Sequence, residues 1–205
     1  MDQSTKAKAG AQRSTYQHGN LPAALSDAIF ELVAEKGIKG FSVVEAARRS
    51  GVSSAAPYRH FANRDELLAA VAAIVYGQLV EEMRQARSDA GDGAAQLVAI
   101  TTSYVRFAIA NRPGIDILFR GGLAHADHAE LARYDDLAYA EYRGACEVMG
   151  LVGDDAHRLV FAAAALAHGF AMLEAVATAG YAMPGPVALE AVADATRRLA
   201  AGYVR

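Results

Sequence analysis

Residues 51–61 read Gly-Val-Ser-Ser-Ala-Ala-Pro-Tyr-Arg-His-Phe. Two hydroxyls and two methyl side chains come first, then a proline, then three side chains long enough to reach an anion. Small side chains at the tip of a helix let it approach a major groove closely, with hydroxyls and methyls near base edges. Tyr58 and His60, about one turn on, reach phosphate oxygens from such a position, and Arg64 adds a cation beside helix-terminal amides that already favour an anion. A second chemistry-bearing group is His125-Ala-Asp-His128. It can place two histidines on one helix face, but a metal site takes three or four ligands and no second cluster has suitable spacing. The sequence also lacks a doubled Glu-x-x-His, a glycine-rich phosphate loop and a Gly-x-Ser-x-Gly elbow. The expectation is a binding protein with no cofactor and no metal, not an enzyme.

The elements that must position these residues are helical. Hydrophobic periodicity is that of helices nearly throughout, and no stretch sustains a two-residue alternation, so the fold class is all-α. Residues 1–17 are polar, carry Lys6, Lys8 and Arg13, and are expected to form a disordered basic arm. Asn20 and Pro22 open a first helix whose apolar face is Leu25, Ile29, Leu32 and Val33, ending near Gly37. Ser42-Val-Val-Glu45 is a capping box, in which the serine oxygen accepts from the Glu45 amide and the glutamate reaches back. Gly51 closes that helix in the left-handed region. Ser53 is the expected N-cap of the next, so that Ser54, Ala55, Ala56 and Pro57 form a first turn where proline is tolerated. Asn63 with Glu66 repeats the box at the start of a fourth. Helix, tight glycine turn, helix is the helix-turn-helix pattern.

Residues 37–71, GIKGFSVVEAARRSGVSSAAPYRHFANRDELLAAV, resemble the DNA-binding domain of the TetR/AcrR family of one-component transcriptional regulators, down to the Tyr-x-His-Phe signature at Tyr58–Phe61. The resemblance covers about residues 18–72. It implies a homodimer that binds double-stranded operator DNA, more often a repressor than an activator, with a helical domain behind it that takes a small-molecule effector. It places phosphate contacts on Ser42, Tyr58, His60 and Arg64, and base or groove contacts on Ser53, Ser54 and Ala55. Pro57 departs from the family's commoner bulky apolar residue. The organisation expected is a basic arm at 1–17, the helix-turn-helix domain at 18–67, and a ligand-binding and dimerisation domain at 68–205.

Charge fits this division. Net charge is −3, yet residues 1–65 hold nine Lys/Arg against six Asp/Glu, while residues 66–205 hold eleven against seventeen. One cysteine among 205 residues rules out an intramolecular disulfide, and no apolar leader is visible near the start, so a cytoplasmic address without membrane attachment is expected. In the rear part, a long fourth helix runs to about Arg87, and a fifth from about Ala94 to Ala110. After a short segment to Arg120, Asp127 with Glu130 caps a helix ending near Gly150. The next helix starts at Gly153 and Asp154. From Leu159 to Leu173 it is apolar all round and so needs cover on more than one side. Val160, Ala164, Ala167 and Ala171 form a small-residue stripe where a second subunit could approach. With Leu189, Val192 and Leu199 of the last helix, about Val187 to Tyr203, they make the expected four-helix dimer interface. Leu166–Leu173, LAHGFAML, resembles the His-Gly element of the WHG-type C-terminal domain, although the chain has no tryptophan. Tyr104, Phe107, Phe119, Tyr142, His168 and Met172 are the candidate pocket residues, and a neutral or cationic effector suits the acidic rear part better than an anion. The rival to a regulator is a helical protein-binding adaptor without DNA binding; an all-α enzyme is the remoter rival.

Overall fold

The computed structural model describes residues 21–175 and 184–203. The arm expected at residues 1–17 lies outside them. Every regular element among the described residues is helical, as the periodicity requires. In order they are α1 (Leu21–Gly40), α2 (Val43–Arg49), α3 (Ala56–His60), α4 (Arg64–Ser88), α5 (Gly93–Ala110), α6 (Arg112–Arg120), a 3-10 turn at His125–Asp127, α7 (Ala129–Val148), α8 (Gly153–Ala175) and α9 (Gly185–Ala201).

Local chemistry sets most boundaries. Helix α1 breaks at Gly37, whose φ of 69° is outside the helical region. Helix α2 begins at Ser42, whose Oγ accepts from the Glu45 amide at 3.4 Å. The reciprocal arm of that box is not made: the Glu45 carboxylate goes instead to Lys36 at 2.6 Å and Arg49 at 3.2 Å, because two cations offer more than a backbone amide. The other end of α2 is a Schellman motif. Gly51 has φ of 71°, its amide donates to the Arg48 carbonyl at 3.2 Å, and Val52 donates to Ala47 at 3.0 Å. Helix α3 is shorter than expected. Its N-cap is Ala55, not Ser53, and the Ser53 carbonyl accepts from the Ala56 amide at 2.9 Å, so a tight turn precedes the helix. Pro57 sits buried in its first turn, where a missing amide costs little. Asn63 Oδ1 caps α4 by accepting from the Glu66 amide at 2.9 Å. At α7 the expected Asp127 cap is replaced by His128, because the 3-10 turn absorbs Asp127.

Helices α1 to α3 enclose Leu25, Ile29, Leu32, Val33, Val43 and Ala46 together with Leu67 and Leu68 of α4. The core then continues along α4 through Val71, Val75, Leu79 and Met83 into the bundle of α5 to α9, so one helix belongs to both parts. Helix α6 packs on both α4 and α1. Gly114 permits this approach: a Cβ there would lie 2.9 Å from Val75 Cγ2. Arg87 Nε donates to the buried Glu141 carboxylate at 2.5 Å, tying α4 to α7, and the Thr101 and Thr196 hydroxyls meet at 3.0 Å between α5 and α9.

Helix α8 corrects the expected dimer surface. Val160, Ala167 and Ala171 are all buried inside the single chain, none more than 4% exposed, and Ala164 faces a cavity. Val192 is likewise fully buried, whereas Leu189 and Leu199 are only half-buried against the same core, so burial overturns the expectation for Val160, Ala167, Ala171 and Val192 alone. The stripe is small because neighbouring helices of the same chain approach closely there. The outward face of α8 lies opposite, at Ala162, Ala165, Leu166, Gly169 and Leu173, with Leu173 55% exposed.

Candidate functional site

The helix-turn-helix surface carries an exposed row of the expected residues. Ser42, Ser53, Ser54, Ala55, Tyr58 and His60 are all exposed, and the polar ends of Tyr58 and His60 have no hydrogen-bond partner within the described residues. Tyr58, at 54% exposed, is a large aromatic left in solvent. Arg64 is different. Its guanidinium donates to the Ile38 carbonyl at 2.5 Å, lies 5.3 Å from the centre of the Phe41 ring and reaches Asp65 at 3.4 Å. It therefore fastens the start of α4 to the end of α1.

The other cations of this region divide in the same way. Arg49 bridges Glu35 at 2.7 Å, Glu45 at 3.2 Å and Glu31 at 3.6 Å, so it clamps α2 to α1. Hydrogen bonding to Arg49 holds the Glu35 carboxyl below its ordinary range, and bonding to Lys36 does the same for Glu45. Lys39, Arg48 and Arg59 are exposed and make no ion pair among the described residues. Sequence reasoning passed over these three. Arg59 had the available signal, since it lies between Tyr58 and His60 with no acidic residue three or four positions away on either side to neutralise it.

The second site is a cavity of about 450 Å³ bounded by α4, α6, α7, α5 and α8. Four expected residues line it: Tyr104, Phe119, Tyr142 and His168. Phe107 instead borders a separate cleft on the far side of α4, and Met172 packs against the core without lining the cavity. Phe161, which shares the His168 face of α8, lines it too, and residues the sequence reading missed include Tyr76, Met83, Asp135, Asp136 and Tyr139. Asp135, Tyr139 and Tyr142 lie three and four positions apart on α7, a helical stripe legible in the sequence. A larger cleft of about 610 Å³ between α4, α5 and α9 has no aromatic side chain on its lining.

Polar groups in the cavity are few and mostly paired. Tyr76 Oη donates to Asp135 Oδ1 at 2.7 Å. His125 Nδ1 lies 3.1 Å from the same carboxylate, and its Nε2 lies 3.1 Å from the Leu118 carbonyl at the end of α6. Tyr104 Oη lies 2.8 Å from His168 Nδ1. Burial pushes the His168 imidazole below its ordinary value, which favours the neutral ring. Burial also raises Tyr76, Tyr104 and Tyr142 above the usual phenol range, keeping all three protonated. The Tyr142 hydroxyl is buried and has no hydrogen-bond partner among the described residues. Asp136 makes no ion pair among the described residues, and no lysine or arginine lines the cavity.

Residues 25–71 match the family described as bacterial regulatory proteins, tetR family. An uncharacterized HTH-type transcriptional regulator of Haemophilus influenzae is 31% identical over 146 residues, 63% of this chain and 71% of that protein. A structure of a protein with unknown function from Rhodococcus sp. RHA1 is 26% identical, with TM-score 0.74 over 95% of this chain and 100% of that one. The TetR family transcriptional regulator PfmR from Thermus thermophilus is 19% identical, with TM-score 0.67 over 86% of this chain and 96% of its own. With the Gly51 turn, the exposed Tyr-x-His-Phe end of α3 and the helical domain behind them, the chain belongs to the tetR family of bacterial transcriptional regulators.

Proposed function

We propose that this DNA-binding regulator is a homodimeric repressor that leaves its operator when a small molecule enters the cavity among α4 to α8. The observation that carries the reading is that one helix serves both sites: α4 starts in the reading domain at the Asn63 cap and supplies Tyr76 and Met83 to the cavity wall. A ligand that packs differently against these side chains in two arrangements of α4 biases the arrangement that fits DNA. Dimerisation supplies two reading heads, about 34 Å apart to match one turn of duplex. The outward face of α8 around Leu166 and Leu173 is the surface offered for it. Tyr58, His60, Arg48 and Arg59 supply phosphate contacts, and Ser53, Ser54 and Ala55 approach the bases.

The test has two parts. A duplex selected by the protein from random sequence gives an operator, and anisotropy titration with and without a cavity ligand gives the coupling. A factor of about 5 to 150 is expected. A reporter carrying that duplex over its promoter tells repression from activation: expression must fall when the protein is present and return with ligand. Ligands that occupy the cavity yet never change operator affinity would refute the response while leaving DNA binding intact.

A further inference from the structure

The lining of the cavity specifies the charge of what it binds. Its walls are aromatic: Tyr76, Tyr104, Phe119, Tyr139, Tyr142 and Phe161 all contribute. Its ionised groups are two adjacent carboxylates, Asp135 and Asp136, with no lysine or arginine on the lining. The one basic group there, His168, is favoured in its neutral form by burial. Asp135 is partly satisfied by Tyr76 and His125, whereas Asp136 is not. The Tyr142 hydroxyl, in a residue 4% exposed, borders the same space without a hydrogen-bond partner among the described residues. A buried polar atom left unpaired costs free energy that a ligand can recover.

We propose that this cavity takes a lipophilic monocation, an aromatic or alkyl body bearing a quaternary or protonated amine, with its charge at the Asp136 edge. This rests on the reading of the cavity as the effector site. Ring faces attract a cation within about 6 Å of their centroids, and more so when water is excluded. Asp136 supplies an opposite charge with no competing partner, and the Tyr142 hydroxyl accepts from, or donates to, a polar group on the ligand body. The volume, about 450 Å³, lies within the range of roughly 300–1,000 Å³ that holds drug-sized molecules. An anion of the same shape would face two carboxylates with nothing to neutralise it.

The test uses three probes of one shape on the full-length protein. They are phenylbutyltrimethylammonium, its neutral isostere with a quaternary carbon in place of nitrogen, and phenylvalerate. Calorimetric titration is expected to rank the cation about tenfold or more above the neutral isostere, with the carboxylate weakest. In Asp136→Asn the cation is expected to lose most of that advantage while the neutral probe binds as before, a split that a general loss of structure would not produce. Tyr142→Phe serves as a second variant, since it removes the orphaned hydroxyl and keeps the ring; binding of the cation should survive it. The proposal is overturned if the neutral isostere binds as tightly as the cation, if the carboxylate binds best, or if none of the three binds. Operator affinity measured alongside separates the two claims. A neutral ligand that binds and releases DNA overturns the charge assignment alone. A cation bound with the expected preference that leaves operator affinity unchanged overturns the response alone.

Discussion

Arg59 and Arg64 lie five residues apart, in opposite surroundings. The Arg59 side chain is exposed on α3 between Tyr58 and His60, without an ion pair among the described residues. Arg64 is held by the Ile38 carbonyl and the Phe41 ring. Replacing each with alanine therefore separates phosphate binding from stability. Each phosphate contact contributes about 0.9 to the slope of log affinity against log salt, so Arg59→Ala in both subunits of a dimer should reduce that slope by about 1.8. Between about 50 and 200 mM salt, this makes the variant's affinity fall about tenfold less than that of the parent. Any duplex serves, since the term carries no sequence information. Arg64→Ala removes a charge-assisted hydrogen bond of roughly 1.5–3 kcal/mol and a cation–π contact of roughly 0.5–1. With 36% of that side chain exposed, solvent screening brings the expected loss down to about 2 kcal/mol in urea unfolding. Its salt slope should change little. Anisotropy titrations at several salt concentrations, paired with unfolding curves, decide the matter. A flattened slope with unchanged stability for Arg64→Ala, and the reverse for Arg59→Ala, would refute the assignment.

Gly51→Ala places a side chain in open space but at φ of 71°, so the cost is conformational, about 1–2 kcal/mol by urea unfolding; an unchanged midpoint would deny the Schellman turn its role. Leu173→Glu on the outward face of α8 should leave helicity intact and shift sedimentation to monomer, whereas Ala167→Glu, at a fully buried position, should unfold the subunit. A Leu173→Glu protein that stays a tight dimer would move the interface elsewhere. His168, with its folded value below the ordinary 6.5, takes up its proton in the unfolded chain first as pH falls. Stability should therefore decline from pH 6.5 downward until the folded value is reached, and His168→Gln should lose that component in melts between about pH 7.5 and pH 5.

The parts legible in sequence were those whose causes lie within a few residues. The Ser42 and Asn63 caps, the Gly51 turn and the Tyr-x-His-Phe end of α3 all bond or orient over three or four positions, so their spacing reveals them. What the sequence hid were long-range contacts. Arg64 finds Ile38 across 26 positions and Tyr76 finds Asp135 across 59, and nothing near either residue announces the partner. The α8 stripe failed for another reason: small residues let any helix approach, whether from the same chain or a second one. Periodicity located the stripe correctly and could not say who covers it. The cavity was half visible because aromatic residues mark apolar walls, while the aspartates that give it a sign read as ordinary solvated charges on α7.

Those aspartates also explain how a small occupant could be felt at the reading helix. Two lines leave Asp135. One runs through Tyr76 into α4, and the other through His125 to the Leu118 carbonyl at the end of α6, which packs against α1 of the reading domain. Twelve positions separate Tyr76 from Arg64, about 18 Å along the helix, so a tilt of about 5° at the cavity displaces the start of α4 by about 1.5 Å. Arg64 would transmit that displacement in the proposed response, because its bond to Ile38 couples the start of α4 to the end of α1. A cation held at the Asp136 edge would sit beside Asp135, the carboxylate that holds both lines together. In the proposed response, the cations paired inside the helix-turn-helix would keep it rigid enough to be moved as one body, while the exposed ones are left for DNA. Rigid clamps and free contacts must be different residues for such a device to work, and Arg49 and Arg64 on one side, Arg48 and Arg59 on the other, divide in that way.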